Sequence, residues 1–325
     1  MSGATERAFE SERAALFGHC YRMLGSSSEA DDAVQDTLVR ALTGAAFEER
    51  SARATWLTRI ATNVCIDRLR RRARRELPSA SLPAGTIDDE LVERPAERWL
   101  EPVPDAAALP PDADPERLLA LRQSLRLAFV ASVQQLPPRQ RAALLLKDVL
   151  GFSAKEIAET LTTSTASVNS ALQRARATLA AVEPAVEPRA LREQAALTAG
   201  QRALVERYVD AFHAYDIDAL VALLREDATL SMPPYTLWLR GPRTIAAWFL
   251  GRGVQCRGSR LVRTAASGSV AFGQYRRSQT GHRAWSLVVL ELDHERIASM
   301  THFLDVEQVF PRFGLPLRAL RSVLR

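Results

Sequence analysis

The stretch RATWLTRIATNVCIDRLRRRARR, residues 53–75, carries eight arginines (53, 59, 68, 70, 71, 72, 74 and 75) against one acid, Asp67. Trp56, Leu57, Ile60, Val64 and Leu69 recur at helical spacing and supply an inner face. Arg59, Asn63 and Asp67 stand at i, i+4 and i+8, so they share one polar stripe. Arginines so placed can neutralise phosphates and release counterions, while the Asn63 amide can hydrogen-bond a base edge. The chemistry on offer is nucleic-acid binding. Charge alone fits equally a solvated helix end with a basic tail, so the run needs a context.

A second candidate lies in LPPRQRAALLLKDVLGFSAKEIAETLTTSTASVNSALQRARATL, residues 136–179. Ser153 and Glu156 form a capping-box pattern that starts one helix. Ile157, Ala158 and Leu161 face inward, Thr162 to Ser164 supply a turn, and a further helix begins near Thr165. That helix buries Val168, Leu172 and Ala175 and exposes Ser167, Asn169, Ser170, Gln173, Arg174 and Arg176, polar groups suited to base edges and phosphates. This is the grammar of a helix-turn-helix, although Thr162 stands where its turn often has glycine. An αα-hairpin inside a bundle is the bland alternative. Upstream of both candidates, EADDAVQDTLVRAL (residues 29–42) reads as an amphipathic helix. Val34, Leu38 and Ala41 lie on its apolar stripe, with Asp32, Asp36 and Arg40 on a polar face.

The elements that must carry these residues fall into distinct segments. A length of 325 residues implies two or three domains. Residues 6–75 read as helices, with Leu16, Cys20, Met23 and Leu24 beginning the pattern. Residues 76–117 hold eight prolines and eleven acids against three arginines, which predicts an acidic, proline-rich linker unable to fold alone. Helical periodicity returns over 118–182. Three separated cysteines, Cys20, Cys65 and Cys256, offer neither a disulfide framework nor a metal site and suit a reducing, cytoplasmic setting. The charged first residues lack the apolar core of a signal peptide, and no apolar run is long enough to span a membrane.

The third segment, 198–325, opens with two helices, one carrying Leu204, Val205, Tyr208, Val209 and Phe212 and the other running from Ile217 to Arg225. Strand-like runs follow at Ala228–Met232, Ser259–Ala265, Ser269–Arg276, Ala284–Glu291 and Arg296–Phe303, with a short helix at Ala246–Leu250. Helices followed by an antiparallel sheet predict an α+β fold. Polar residues able to line a pocket there are His213, Tyr235, Trp238, Gln274, Arg276, His302 and Asp305. No Asp–Tyr pair has the spacing of a carboxylate base with an oxyanion donor. Asp227 reads as a turn cap, His213 and His302 as structural histidines, and Trp238, Trp248 and Trp285 as core.

In order, EADDAVQDTLVRAL, TWLTRIATNVCIDRLRRRARR, the acidic proline linker and the helix-turn-helix resemble a sigma-70 family factor of the extracytoplasmic-function (ECF) type, which retains sigma regions 2 and 4. The resemblance covers residues 6–181. It implies two all-α domains: region 2 over 6–75, and region 4 over 118–182. The helix bearing Asp32, Gln35, Asp36 and Arg40 would then dock on the clamp of the largest subunit of core RNA polymerase. Trp56, Arg59, Asn63 and Asp67, with Arg70 and Arg71, would meet the −10 element of promoter DNA. The loop Thr43 to Thr55 would hold a flipped-out base, since a base must leave the stack before its edge is read. Ser167, Asn169, Ser170, Gln173, Arg174 and Arg176 would enter the −35 major groove. Many such factors carry lysine or arginine where Asn169 and Ala171 stand, so promoter sequence does not transfer. The linker's acids suggest a strand that threads a basic channel of the polymerase.

The last segment resembles the SnoaL-like (nuclear transport factor 2-like) cone, and MPPYTLWLRGPRTIAAWF is similar to ECF factors carrying this fused domain. Fold likeness does not transfer an activity. The expectation is a regulatory domain without catalysis or cofactor, acting through intramolecular contacts or a small pocket ligand. The rivals are a plain helix-turn-helix repressor with a sensor domain and a cone-fold enzyme with a DNA-binding appendage. Neither accounts for the docking helix, the Asn63 stripe and the acidic linker together.

Overall fold

A computed structural model describes residues 3–43, 53–71, 74–182, 197–279 and 281–319. The chain divides into two compact units, one drawn from residues 1–75 and 105–195, the other from 76–104 and 196–325.

The helical unit begins with α1 (Gly3–Leu24), α2 (Ser27–Thr43) and α3 (Arg53–Leu69), each packed on the other two. Gly25 ends α1 in the left-handed region, at φ 69°, and the Ser26 hydroxyl accepts from the Glu29 amide to begin α2. Leu16, Cys20, Met23, Leu24, Val34, Leu57, Val64 and Cys65 close the core. The chain then passes through residues 76–104, which include the short α4 (Pro78–Ser81), and re-enters the helical unit at α5 (Asp105–Ala108). Asp114 caps α6 (Pro115–Gln123), which is followed by α7 (Leu127–Gln134) and α8 (Pro138–Leu144). Leu145–Val149 continue α8 as a π turn, ahead of α9 (Ala154–Thr160) and α10 (Thr165–Val182).

Two buried arginines tie the first three helices to the later ones. Arg22 donates to Ser124 Oγ at 2.7 Å and to the Leu121 carbonyl at 2.9 Å. Arg141 donates to the Met23 carbonyl at 2.5 Å, to Gln134 Oε1 at 2.6 Å, and to the Gln134 and Leu136 carbonyls at 2.9 and 3.1 Å. Burial pushes the Arg22 guanidinium down to about 9, with the charge of Arg117 acting in the same direction and that of Tyr21 opposing it.

The second unit packs α11 (Ala199–Ala214), α12 (Ile217–Ala222) and α13 (Pro242–Leu250) against a seven-stranded sheet. Its strands are β1 (Leu224–Ser231), β2 (Trp238–Arg240), β3 (Arg260–Ala266), β4 (Ser269–Ser278), β5 (Gly281–Asp293), β6 (Arg296–Phe303) and β7 (Arg318–Ala319). The order is β2-β1-β6-β5-β4-β3, with β7 added to β5. Strand β1 runs parallel to β6, against the expectation of a wholly antiparallel sheet. Helix α13 separates β1 and β2 from the meander β3–β6, so the chain returns to β1 by its last long strand. Tyr208, Phe212, Phe249 and Phe272 pack as tilted or edge-on pairs with centroids 5.9–6.4 Å apart, filling the space under the helices. On the sheet's other side Phe310, from α14 (Val306–Arg312), meets Tyr275 edge-on at 5.4 Å. The terminal stretch containing Val309 and Phe310 therefore packs on its own domain.

The stretch expected as one linker over 76–117 is split between the units. Residues 105–117 join the helical unit, and residues 76–104 form a strap along the cone. Thr236 and Gly85 amides donate to the Val92 and Trp238 carbonyls at 2.9 Å, and the Ser267 amide donates to the Val103 carbonyl at 2.8 Å. The Trp238 indole donates to the Leu82 carbonyl at 2.9 Å. The stretch also closes on itself, the Glu76 amide donating to the Arg98 carbonyl at 2.9 Å and the Leu100 amide to the Glu76 carbonyl at 3.1 Å, while the rest of its extended backbone bonds the neighbouring fold.

Candidate nucleic-acid interface

On α2, Val34 is buried while Asp32, Gln35, Asp36, Val39 and Arg40 are exposed, a spacing that lines up one helix face. Arg68 of α3 holds Asp36 at 2.6 Å and approaches Asp32 at 3.6 Å. The face therefore presents ordered carboxylates beside an exposed valine.

On α3, Leu57, Ala61, Val64 and Cys65 are buried, Trp56 and Arg59 are half-buried, and Asn63, Arg70 and Arg71 are exposed. Asp67 lies between Arg40 at 3.6 Å and Arg70 at 3.5 Å, which offset the one acid of the stripe. Arg59 donates to Glu159 Oε2 at 2.7 Å, and Asn63 Nδ2 donates to the Thr160 carbonyl at 3.2 Å. Both partners belong to α9, so the stripe is engaged by the first helix of the helix-turn-helix. The loop from Thr43 to Thr55 lies, over residues 44–52, outside the described residues.

The helix-turn-helix is built as its residues predict. Ser153 and Glu156 form a complete capping box, and their hydrogen bonds hold the Glu156 carboxyl below its ordinary range. Ser164 accepts from the Ser167 amide at 3.2 Å to start α10. Along α10, Ser167, Asn169, Ser170, Gln173, Arg174 and Arg176 are exposed and Val168, Leu172 and Ala175 are buried. Arg176 also donates to Asp148 at 2.8 Å, which draws its guanidinium toward the end of α8's π turn. In the turn, Thr162 takes φ 49°, a left-handed conformation unfavourable to a β-branched residue. Thr162→Gly is therefore expected to stabilise the helical unit by about 1 kcal/mol. Urea unfolding checks this, and an unchanged or lower midpoint would count against strain at this turn.

The pocket candidates are not brought to one place: Tyr235 and Asp305 share one cavity, and Gln274 and His302 share the Ser286 hydroxyl. Tyr235 lines a cavity at the strap, whereas the His213 ring accepts from the Leu261 amide at 3.0 Å and Trp238 bonds the strap carbonyl of Leu82. His302 lies under the helices, its Nδ1 3.3 Å from the Ser286 hydroxyl, which donates to Gln274 Oε1 at 2.9 Å. The buried polar residues of 197–319 include no carboxylate among the described residues. Asp227, read as a turn cap, is instead held by the Arg225 guanidinium at 2.5 and 3.0 Å. Trp238 and Trp248 are buried as expected, but Trp285 is 37% exposed. The register jumps from Ser286↔Gln274 to Ala284↔Tyr275, leaving Trp285 as the extra residue of a bulge.

Two histidines, one in each unit, are buried and neutral. Burial pushes His19 down to about 3, with the Arg22 charge adding. Burial likewise pushes His302 down to about 4, with Arg276 adding. Both folded values lie below the unfolded 6.5, so the unfolded chain takes up protons first as pH falls. Their contribution is intact above about pH 6.5 and is lost toward 4 and then 3, by up to ~1.4 kcal/mol per pH unit for each histidine. Urea midpoints should fall between pH 6.5 and 4, and His19→Gln with His302→Gln should flatten that fall. A slope unchanged in the double variant would contradict the assignment.

Residues 8–75 match the Sigma-70 region 2 family, residues 126–179 Sigma-70 region 4, and residues 205–300 the SnoaL-like domain. The strap and α14 fall outside all three. The ECF RNA polymerase sigma factor SigG of Mycobacterium tuberculosis is 43% identical over 314 residues, spanning 94% of this chain and 82% of that protein. SigJ of the same organism is 28% identical over 257 residues, spanning 75% and 71%. The crystal structure of Mycobacterium tuberculosis SigJ aligns with a TM-score of 0.62 over 96% of this chain and 99% of that one, at 22% identity. Among the described residues, no helix is long and apolar enough to cross a membrane.

Proposed function

The chain belongs to the extracytoplasmic-function (ECF) group of sigma factors, RNA polymerase subunits that bind core polymerase and direct it to promoters, and from that premise we propose how its faces share the work. The α2 face with Asp32, Gln35, Asp36 and Arg40 docks on the polymerase clamp. Trp56, Arg59, Asn63, Asp67, Arg70 and Arg71 meet the −10 element, and α10 carries Ser167, Asn169, Ser170, Gln173, Arg174 and Arg176 into the −35 groove. The work takes place in the cytoplasm, where core polymerase is. The cone is a regulator without catalysis of its own, tuned by a small ligand.

One observation carries the reading: Arg59 and Asn63, the groups that would meet DNA, already bond Glu159 and the Thr160 carbonyl of α9. Promoter DNA and α9 therefore compete for the same donors. The helical unit described is a resting form, and initiation requires α9 to leave the stripe. Residues 76–104 bond the cone, so the cone holds the very strand that links the two sigma regions.

Run-off transcription with core polymerase on a promoter library tests the scheme, comparing the full chain with residues 1–182. Removing the cone is expected to change promoter-directed transcription several-fold while leaving polymerase binding intact. Unchanged transcription would sink the regulatory role. Failure of the full chain to program core polymerase would favour a plain helix-turn-helix repressor.

A further inference from the structure

The strap and the cone together enclose a cavity of about 570 Å³, within the range of small-molecule sites. One wall is strap: Glu93, Trp99 and Pro102. The other is cone: Tyr235, the bulged Trp285, one face of whose ring is covered by the Arg276 guanidinium at 3.3 Å, and Phe303 at the end of β6, with Val306 from the first turn of α14. This is not the space beneath the helices. Phe303 is the strand neighbour of His302 and so lies on the opposite face of the sheet. The space under the helices is filled by Tyr208, Phe212, Phe249 and Phe272.

The lining also indicates the ligand. Flat aromatic and proline surfaces dominate, and charge of both signs stands among them: Glu93, Glu101 and Asp305 with Arg283 and Arg312. Asp305 already accepts from the Gln308 amide at 3.4 Å to cap α14. Three carboxylates against two guanidiniums leave little net charge to select an ion, while planar walls favour stacking. We infer that this cavity is a binding site for a flat, uncharged, largely apolar small molecule, which clamps the strap to the cone. Such a ligand touches both walls at once, so it binds only while the strap is seated and shifts the population toward that state. The effect on transcription rests on the regulatory reading above, but the binding itself does not.

The test uses the full chain and N-phenyl-1-naphthylamine, a neutral fluorescent plate. Saturable one-to-one fluorescence enhancement is expected. Trp285→Arg and Val306→Arg, one on the bulge and one on α14, should each weaken it at least tenfold with circular dichroism unchanged. Because Val306 is half-buried in a first helical turn, its variant decides the matter if Trp285→Arg misfolds. Amide exchange in residues 93–102 should slow when the probe is bound. Absence of saturable binding, affinity indifferent to both variants, or slowing confined to α11–α13 would overturn the site. No arm involves polymerase, so this result and the transcription result can fail separately.

Discussion

Arg141→Ala is expected to lower the stability of the helical unit by roughly 3–5 kcal/mol, the largest effect of any single substitution considered. The guanidinium is buried and reaches the Met23 carbonyl at the end of α1 together with Gln134 and Leu136 in the α7–α8 turn. Truncation leaves those carbonyls facing one another without a donor, at about 1–3 kcal/mol for each unsatisfied group. Water entering the vacated space recovers part of that cost. Arg141→Lys should rescue little, because an ammonium on a flexible stem cannot reproduce a planar fork bonding four acceptors. Urea unfolding followed at 222 nm measures the loss. A change below about 1 kcal/mol would mean that the buried guanidinium is not what joins α1 to the later helices.

Asn63→Ala is expected to reduce open-complex formation about tenfold to a hundredfold, the range spanned by one good base contact. The fold should survive, since Asn63 is exposed and its amide bonds only the Arg59 and Thr160 carbonyls. Glu159→Ala is the informative companion. It frees Arg59 from α9, so it should raise promoter opening by the full chain while Asn63→Ala lowers it. Permanganate footprinting of unpaired thymines reads both. If Asn63→Ala melts promoter DNA as well as the parent, the base-reading role is wrong. If Glu159→Ala matches the parent, α9 does not compete with DNA.

How far these features could be read from residues alone depended on how local their causes were. The two faces of α10 follow from one period, and burial of Val168, Leu172 and Ala175 against exposure of Asn169 and Gln173 matches it. Strand β6 begins at Arg296 and ends at Phe303 as its pattern implied, and the Ser153–Glu156 box is local by nature. Partnerships between distant segments left no such trace. Nothing in a run of prolines and acids indicates that Leu82 and Val92 will bond Trp238 and Thr236. Arg22 and Arg141 carry no periodic mark of burial, because arginine is ordinarily exposed and their acceptors lie far along the chain. Trp285 was misjudged for a related reason. A bulge in the ladder takes it out of the alternation and leaves its ring against the Arg276 guanidinium, 3.3 Å from the ring centroid. Of the seven pocket candidates, Tyr235 and Asp305 lie at the cavity between strap and cone.

The strap also has a consequence for biogenesis. Its residues leave the ribosome before any strand of the sheet they will bond, and the cavity wall at Phe303 is synthesised near the end of the chain. Domains generally fold as units during synthesis at about 5–20 residues per second, so the strap waits on the order of tens of seconds for its partner. During that interval the first three helices can pack around their own core while the strap hangs open. A newly made molecule is therefore uncommitted, and core polymerase that captures it on the ribosome meets a factor whose cone has not yet closed over the connecting strand.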